Sequence, residues 1–236
     1  MNDLDFTVVR DALPYLWRGL QFSLALTASS FVIGMVLGTL LAFLRQLSVP
    51  ILSPIAQAYI VLMRSLPLIL VLFWFFFLVP ILLGHLTPSG RPIPVGATWT
   101  AFVTFGLFEA AYYAEIIRVG LRAIPKGQYE AGKALSLSTL QTYRLIVLPQ
   151  VLRMVSPIIL TQTIILFQDT SLVYVLSATD LLGAAAKVAQ LNGRLVEMYL
   201  AVAVIYLVIC SAASQFVAVL RGQNALPERA SGVPGA

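Results

Sequence analysis

Three carboxylates interrupt stretches of the sequence that are otherwise apolar and long enough to cross a membrane: Glu109, Glu115 and Asp169. A charged side chain at that depth costs roughly 2.5–3.5 kcal/mol on insertion scales, so its presence indicates a function. At about 100° per residue, one helix face about 160° wide carries both glutamates together with Tyr112 and Tyr113. We predict that this face borders a polar pathway or packs against a partner span.

Two of these carboxylates also have a simpler interpretation. Glu115 and Arg118 stand three residues apart, so on a helix they could form a structural ion pair and nothing more. Asp169 could mark the membrane surface. Its polar neighbours Gln168, Thr170 and Ser171 instead favour a span broken at mid-depth, whose free backbone groups can bind the amino and carboxylate groups of a substrate. The residues alone leave both alternatives open.

The composition places these residues in a membrane protein. Of 236 residues, 59% are hydrophobic and 11% are charged, whereas soluble domains have roughly 45–50% and about 25%. A water-soluble enzyme and a disordered chain are therefore excluded. The single Cys210 and single His85 exclude a disulfide framework and a histidine cluster within the chain, so we expect no metal site and no catalytic residues.

The elements that must hold the polar residues are predicted from the charge-free runs, which give an all-α protein with about five transmembrane helices. Ten of the 15 Lys and Arg residues would lie inside and five outside if the N-terminus is external and the C-terminus cytoplasmic, and this bias predicts that orientation. We read the net charge of +5 as an orientation signal, with no nucleic acid as partner. The predicted spans are Gly19–Leu44, Ser65–Gly84, Trp99 to about Ile117, Met154 to Gln168–Asp169, and Met198–Leu220.

The spans form one predicted domain over residues 1–224, followed by a disordered cytoplasmic tail over 225–236. Residues 169–197 are too interrupted to span and predict an external segment with a short interfacial helix around 178–191. Gly34 and Gly38 form a G-x-x-x-G spacing that suits close helix packing. We find no internal repeat, and an odd number of spans does not fit an inverted one. A second chain must then supply the other half of any pathway.

The sequence of the longest predicted inside loop, residues 119–153, predicts two short helices. The first follows Pro125 and continues to Leu135. The second begins at Ser138, where Gln141 three residues later completes a capping-box pattern, and we expect Pro149 to end it. Two short amphipathic helices could form a docking surface for a partner or an interfacial hairpin on the lipid. Periodicity does not decide between them.

One spaced motif in this loop favours docking. The run Glu130-Ala131-Gly132, then Ser136, then Ile146, Leu148 and Pro149 resembles the EAA loop of bacterial ABC importer permeases. This sequence departs at two positions, since the family pattern has Ala where Gly132 stands and Gly where Ser136 stands. The resemblance implies that the loop inserts into a groove on an ATPase subunit. The chain has no G-x-x-x-x-G-K-[ST] phosphate loop, so ATP and Mg would belong to that partner and this chain would be no enzyme.

The resemblance extends over most of the chain. Residues 13–16, 64–68, 114–118 and 148–150 are similar to the polar amino acid uptake branch, and residues 108–113 and 167–176 to its glutamate/aspartate permeases. Most relatives have Lys where this chain has Gln168. The resemblance implies a type I permease fold in a bacterial inner membrane, with an ATPase dimer, an external amino-acid-binding protein and a second permease chain, copy or paralogue. It also implies that the polar residues of spans three and four line the substrate pathway: Glu109, Tyr112, Tyr113, Glu115, Gln168, Asp169, Thr170 and Ser171.

Two questions stay open on the sequence alone. An ion-coupled secondary transporter or channel working without an ATPase is the alternative function, although it predicts an internal repeat or more spans. The substrate assignment has an electrostatic difficulty as well, because glutamate and aspartate are anionic and the in-span charges are carboxylates. Arg64 and Arg118 are candidate cations, but both lie toward the predicted inside.

Overall fold

The computed structural model describes residues 4–86 and 91–224, and within these ranges the chain is folded almost entirely into helices. Two π-helical turns, Trp74–Leu78 and Tyr143–Val147, and one 3-10 helix, Thr170–Leu176, continue or connect the α-helices. The α-helices are α1 (Thr7–Gln46), α2 (Leu52–Ser65), α3 (Leu68–Phe73), α4 (Val79–His85), α5 (Ala97–Ala123), α6 (Lys126–Ala134), α7 (Thr139–Thr142), α8 (Leu148–Asp169), α9 (Leu181–Asn192) and α10 (Leu195–Asn224).

Four helical stretches are long and apolar enough to cross a membrane: Thr7–Gln46, Leu68–His85, Thr139–Leu176 and Leu195–Gly222. They overlap four of the five predicted spans, although the second stretch begins at Leu68 and the predicted span at Ser65. The remaining predicted span corresponds to α5, whose 27 residues would extend about 40 Å but carry Glu109, Glu115 and Arg118. The all-helical membrane architecture is confirmed, and the count of five spans with an external N-terminus stays a prediction.

The centre of the fold is the long contact between α1 and α5. Gly34 and Gly38 lie on the α1 face of this contact, and α5 approaches so closely that side chains there would collide. A Cβ atom on Gly34 would come within 2.9 Å of the Glu109 Cβ, and one on Gly38 within 2.9 Å of the Ala110 carbonyl oxygen. The predicted packing role of the G-x-x-x-G spacing is therefore confirmed, and it places α1 directly behind a candidate site residue.

Each π-helical turn ends two residues before a proline, and each helix continues through that proline. Trp74–Leu78 precedes Pro80, and Tyr143–Val147 precedes Pro149. In a regular α-helix the proline ring collides with the carbonyl four residues back and lacks the N–H that should bond to it. The wider π turn shifts these bonds to five residues, as from the Leu148 N–H to the Tyr143 oxygen. The prediction that Pro149 ends the helix is therefore wrong, since α7, the π turn and α8 form one continuous helix.

The segment after α8 confirms the position of the predicted short helix but changes its surroundings. The α-helical geometry ends at Asp169, a 3-10 helix follows, and Ser177 adopts a left-handed conformation with φ of +61°. Asp180 then caps α9, its carboxylate accepting hydrogen bonds from the N–H groups of Leu182 and Gly183, both at 3.0 Å. Small buried residues pack α9 against α1 and α10, so it is held by protein contacts. The predicted disordered tail, 225–236, lies outside the described residues.

Candidate functional site

Glu115 is the centre of a cluster of three guanidinium groups. Arg45 Nη1 donates to its Oε2 at 2.8 Å, Arg118 Nε donates to the same oxygen at 3.0 Å, and Arg118 Nη2 donates to Oε1. Arg64 Nη1 lies 3.9 Å from Oε2. The pairing with Arg118 that spacing predicted is confirmed, and Arg45 and Arg64 reach the same carboxylate from α1 and α2. Because both carboxylate oxygens already accept hydrogen bonds, Glu115 has little capacity left for a ligand.

Beside this cluster lies a cleft of about 350 Å³ between α2, α5 and α8, called here the Arg64 cleft. The Arg64 side chain is 42% exposed, far more than those of Arg45 and Arg118. Its guanidinium carbon lies 5.6 Å from the centre of the Tyr112 ring, a cation–π contact. The polar lining is Arg64, Tyr112, Glu115 and Gln162, and the apolar lining includes Ile116, Val119, Met154 and Ile158.

Glu109 is 1% exposed and lies between helices. Gln162 of α8 donates from Nε2 to both carboxyl oxygens, at 3.2 and 3.3 Å, and Gly34 of α1 closes the other side. Among the ion pairs of the described residues, none includes Glu109. A buried carboxyl group held only by an amide is a costly arrangement, which fits a group that meets a further partner.

The two tyrosines of α5 have different surroundings. Tyr112 is half-buried and lines the Arg64 cleft. Tyr113 is completely buried, with its hydroxyl 3.2 Å from Thr163 Oγ1 and its ring edge-on to Phe31 at 5.8 Å between centroids. Tyr113 therefore joins α1, α5 and α8. The helix face predicted from spacing is divided between a helix interface and a cleft.

None of the four polar residues predicted at the end of α8 lines the Arg64 cleft. Gln168 is exposed in a separate groove beside Tyr206 and Ser211 of α10. Asp169 is half-buried, and Thr170 is buried with its hydroxyl donating to the Phe167 carbonyl at 2.7 Å. Ser171 is half-buried. Of the eight predicted pathway residues, Tyr112 and Glu115 line the Arg64 cleft and Gln168 lines the groove beside α10, so neither of these pockets contains them all.

The spaced loop motif has a defined geometry at its glycine-like positions. The Ser136 N–H donates to the Lys133 oxygen at 2.9 Å and the Leu137 N–H to the Gly132 oxygen at 3.0 Å, which is a Schellman ending for α6. Ser136 has φ of +55°, a conformation that glycine adopts without strain. The glycine of the EAA-loop pattern at this position is therefore explained by backbone conformation.

Gly132 is required for a different reason. It is buried where α6 meets α7, and a Cβ atom there would lie 2.6 Å from both Cγ2 and Oγ1 of Thr142. The predicted capping box that begins α7 is confirmed, because Ser138 and Gln141 exchange side chain-to-backbone hydrogen bonds of 2.8 and 3.3 Å. The two helices of the loop are therefore fixed by local bonds and one close contact.

The rest of the motif is largely on the surface of the loop. Glu130, Ala131 and Pro149 are exposed, and Ile146 and Leu148 are half-buried. Three leucines of the same loop are also largely exposed: Leu135 at 70%, Leu140 at 77% and Leu145 at 62%. Exposed leucines around a charged residue favour a surface that another protein covers.

Sequence reasoning missed Arg45, Gln162 and Thr163 as parts of the site. A signal was available for two of them, since Thr161, Gln162 and Thr163 are consecutive polar residues inside an apolar run. Gln162 also precedes Asp169 by seven residues, or about two helical turns. Within the described ranges, no group of three or more His, Cys, Asp and Glu is placed to hold a metal ion.

Comparison with known proteins gives consistent similarities. The family model described as "binding-protein-dependent transport system inner membrane component" matches residues 7–222. The chain is 41% identical to the glutamate/aspartate import permease protein GltK of Escherichia coli O6:H1, over 95% of this chain and 100% of that protein. It is 32% identical to the L-cystine transport system permease protein TcyL of Bacillus subtilis strain 168, over 86% and 84% of the respective chains.

Solved structures agree on the fold. A crystal structure of an amino acid ABC transporter with histidines superimposes with a TM-score of 0.83 and 24% identity, covering 93% of this chain and 99% of the other. The inward-facing MetNI methionine ABC transporter gives a TM-score of 0.65 with 22% identity, covering 87% and 96%. The predicted type I importer permease fold is confirmed.

Proposed function

The chain belongs to the family of binding-protein-dependent transport system inner membrane components and is the permease subunit of an amino-acid ABC importer, and on this premise we propose that it imports glutamate and aspartate. The main support for this proposal is the similarity of the chain to a glutamate/aspartate import permease along almost its whole length. The polar lining of the Arg64 cleft supports a pathway for a charged solute. We place the protein in the bacterial inner membrane.

A partner ATPase dimer supplies the energy in this proposal and holds ATP and Mg. The sequence contains no phosphate-binding loop of its own. The surface around Glu130, with its exposed leucines, offers the apolar area and charge that a docking groove would cover. Ala131, Gly132, Ser136, Ile146, Leu148 and Pro149 shape that surface. ATP-driven closure of the ATPase dimer would move this loop and switch the spans between outward and inward access.

The pathway itself needs further chains. A second permease chain would complete it, and an external amino-acid-binding protein would deliver the substrate. We assign to the pathway the predicted polar residues of α5 and of the end of α8, with Tyr112 and Glu115 placed at the Arg64 cleft. Their mixture of carboxyl, hydroxyl and amide groups can bind a zwitterion.

Glu130→Arg tests the coupling. Reversing this exposed charge is expected to abolish both uptake and the ATP hydrolysis that loaded binding protein stimulates, while the permease stays in the membrane fraction. Arg221→Glu is the matched control, because it reverses an exposed charge at the end of α10, outside the 119–153 loop. Normal uptake by correctly inserted Glu130→Arg protein would contradict the coupling role.

A second experiment tests the substrate and the energy source. The complex is reconstituted in vesicles with its binding protein, and ATP hydrolysis is measured with each amino acid in turn. Glutamate and aspartate should stimulate hydrolysis most strongly. Stimulation by other amino acids alone would contradict the substrate assignment. Uptake that persists without the ATPase and follows an imposed ion gradient would instead support a secondary transporter.

A further inference from the structure

The cluster around Glu115 has more positive charge than one carboxylate neutralises. Three guanidinium groups surround it, and within the described residues Arg45, Arg64 and Arg118 form no other ion pair. Arg45 and Arg118 make hydrogen bonds of 2.8 to 3.0 Å to Glu115. Arg64 is beyond hydrogen-bond range at 3.9 Å. This excess positive charge favours an additional anion.

Arg64 is the member of the cluster that can reach an anion. It stands at the last turn of α2, its side chain is the most exposed of the three, and it lines the cleft directly. The Tyr112 ring supports its guanidinium from one side. A planar guanidinium presents parallel N–H groups that match the two oxygens of a carboxylate.

A group of the complementary polarity lies behind the lining of the same cleft. Gln162 lines the cleft and also donates to both oxygens of Glu109, so this carboxyl group lies just behind the wall. Glu109 and Glu115 are six residues apart on α5, about 9 Å along the helix axis. An amino acid placed here would direct its ammonium group toward Glu109 and a carboxylate toward Arg64.

We propose that Arg64 binds a carboxylate of the transported amino acid, with Glu115 holding Arg45 and Arg118 so that Arg64 is the guanidinium left for the substrate. This inference rests on the proposed function. It also answers the electrostatic difficulty seen in the sequence, since an anionic substrate meets a cation where the in-span carboxylates alone would repel it.

The test measures glutamate binding to the purified permease–ATPase complex in the absence of the binding protein, by isothermal titration calorimetry. Arg64→Gln is expected to weaken binding by about tenfold to a hundredfold, the range for one charged hydrogen-bonded contact. Arg64→Lys keeps the charge but loses the paired N–H groups, so its affinity for glutamate should lie between those of the wild type and Arg64→Gln. Arg122→Gln is the matched control, because it removes an exposed arginine that does not line the Arg64 cleft.

Salt dependence separates a direct contact from a structural effect. Binding to the wild-type complex should weaken as ionic strength rises, and this dependence should be smaller in Arg64→Gln. Size-exclusion chromatography and thermal unfolding identify variants that fail to assemble. If Arg64→Gln fails to assemble, the glutamate affinity of Arg64→Lys tests the proposal instead: weaker binding supports it, and unchanged binding contradicts it.

Glutamine as a second probe identifies which carboxylate is bound. An equal loss for glutamate and glutamine assigns the α-carboxylate, and a loss for glutamate alone assigns the side-chain carboxylate. Unchanged affinities, or a wild-type complex that binds no glutamate, would overturn the inference. If loaded binding protein still stimulates ATP hydrolysis in that case, only the role of Arg64 fails and the proposed function stands.

Discussion

Gly132→Ala is expected to loosen the first helix of the 119–153 loop. The added Cβ would lie 2.6 Å from two atoms of Thr142 and 3.1 Å from a third. Thr142 is 5% exposed and its hydroxyl donates to the Ser138 carbonyl at 3.1 Å, so it cannot move aside without losing that bond. Overpacking of this kind costs about 1–3 kcal/mol.

Gly127→Ala is the matched control in the same helix, because a Cβ there has nothing within 4 Å. Its gain in helix propensity is at most about 1 kcal/mol, and it involves no collision. Amide hydrogen exchange of α6 in the purified complex measures the local opening free energy. The Gly132→Ala helix should exchange about fivefold to a hundredfold faster than the Gly127→Ala helix.

Thr142→Ala provides the decisive comparison, since it removes the two closest atoms and leaves only the contact at 3.1 Å. In that background the difference between the two alanine variants should shrink markedly, as expected for residues in direct contact. Equal exchange in the two single variants, or a difference that Thr142→Ala leaves unchanged, would refute the close contact as the reason for Gly132.

Three further outcomes follow from the described contacts. Gly38→Ala places a Cβ 2.9 Å from backbone atoms of α5 and should cost about 1–3 kcal/mol; the purified protein should unfold at a lower temperature than Gly222→Ala, where the added atom meets nothing. Ser136→Gly relieves the strain of the left-handed conformation at φ of +55°. It should raise the opening free energy at the end of α6 by up to about 1 kcal/mol, which slows hydrogen exchange there. Burial raises the pKa of Asp180 from 3.8 to about 6, so the folded protein binds a proton that the unfolded chain has released, and stability should fall as pH rises from about 4 to 6. Asp180→Asn keeps the helix cap and should remove that dependence in thermal unfolding measured across this range.

The features that sequence predicted well are those that depend on neighbouring residues. The Ser138–Gln141 capping box and the Glu115–Arg118 pair involve residues three apart, so their geometry follows as soon as a helix forms. Arg45 lies 70 residues from Glu115, and nothing in the local sequence joins them. That contact exists only because close packing of α1 on α5 brings the two residues together.

Other features could not be predicted because the same residue type can serve more than one structural purpose. Gly132 and Ser136 are the two departures from the loop pattern, and their structural reasons differ: Gly132 avoids a collision, whereas Ser136 adopts a left-handed conformation. Pro149 was interpreted as a helix end because proline removes a regular α-helical bond. The preceding π turn supplies a different bond pattern, and Pro80 has the same arrangement. Only the backbone geometry distinguishes a proline that ends a helix from one that a helix accommodates.

The continuous helix through Pro149 connects the 119–153 loop to the polar residues near the other end of α8. From Thr139 to Asp169 it forms one rod about 45 Å long, with exposed Leu140 near one end and Gln162 and Asp169 toward the other. A rod tilted by about 5° about its loop end displaces Gln162, about 35 Å along it, by about 3 Å, the length of a hydrogen bond. A small rotation imposed on the loop would therefore make or break polar contacts at Gln162 directly, with the helix acting as a lever arm and requiring no unfolding in between.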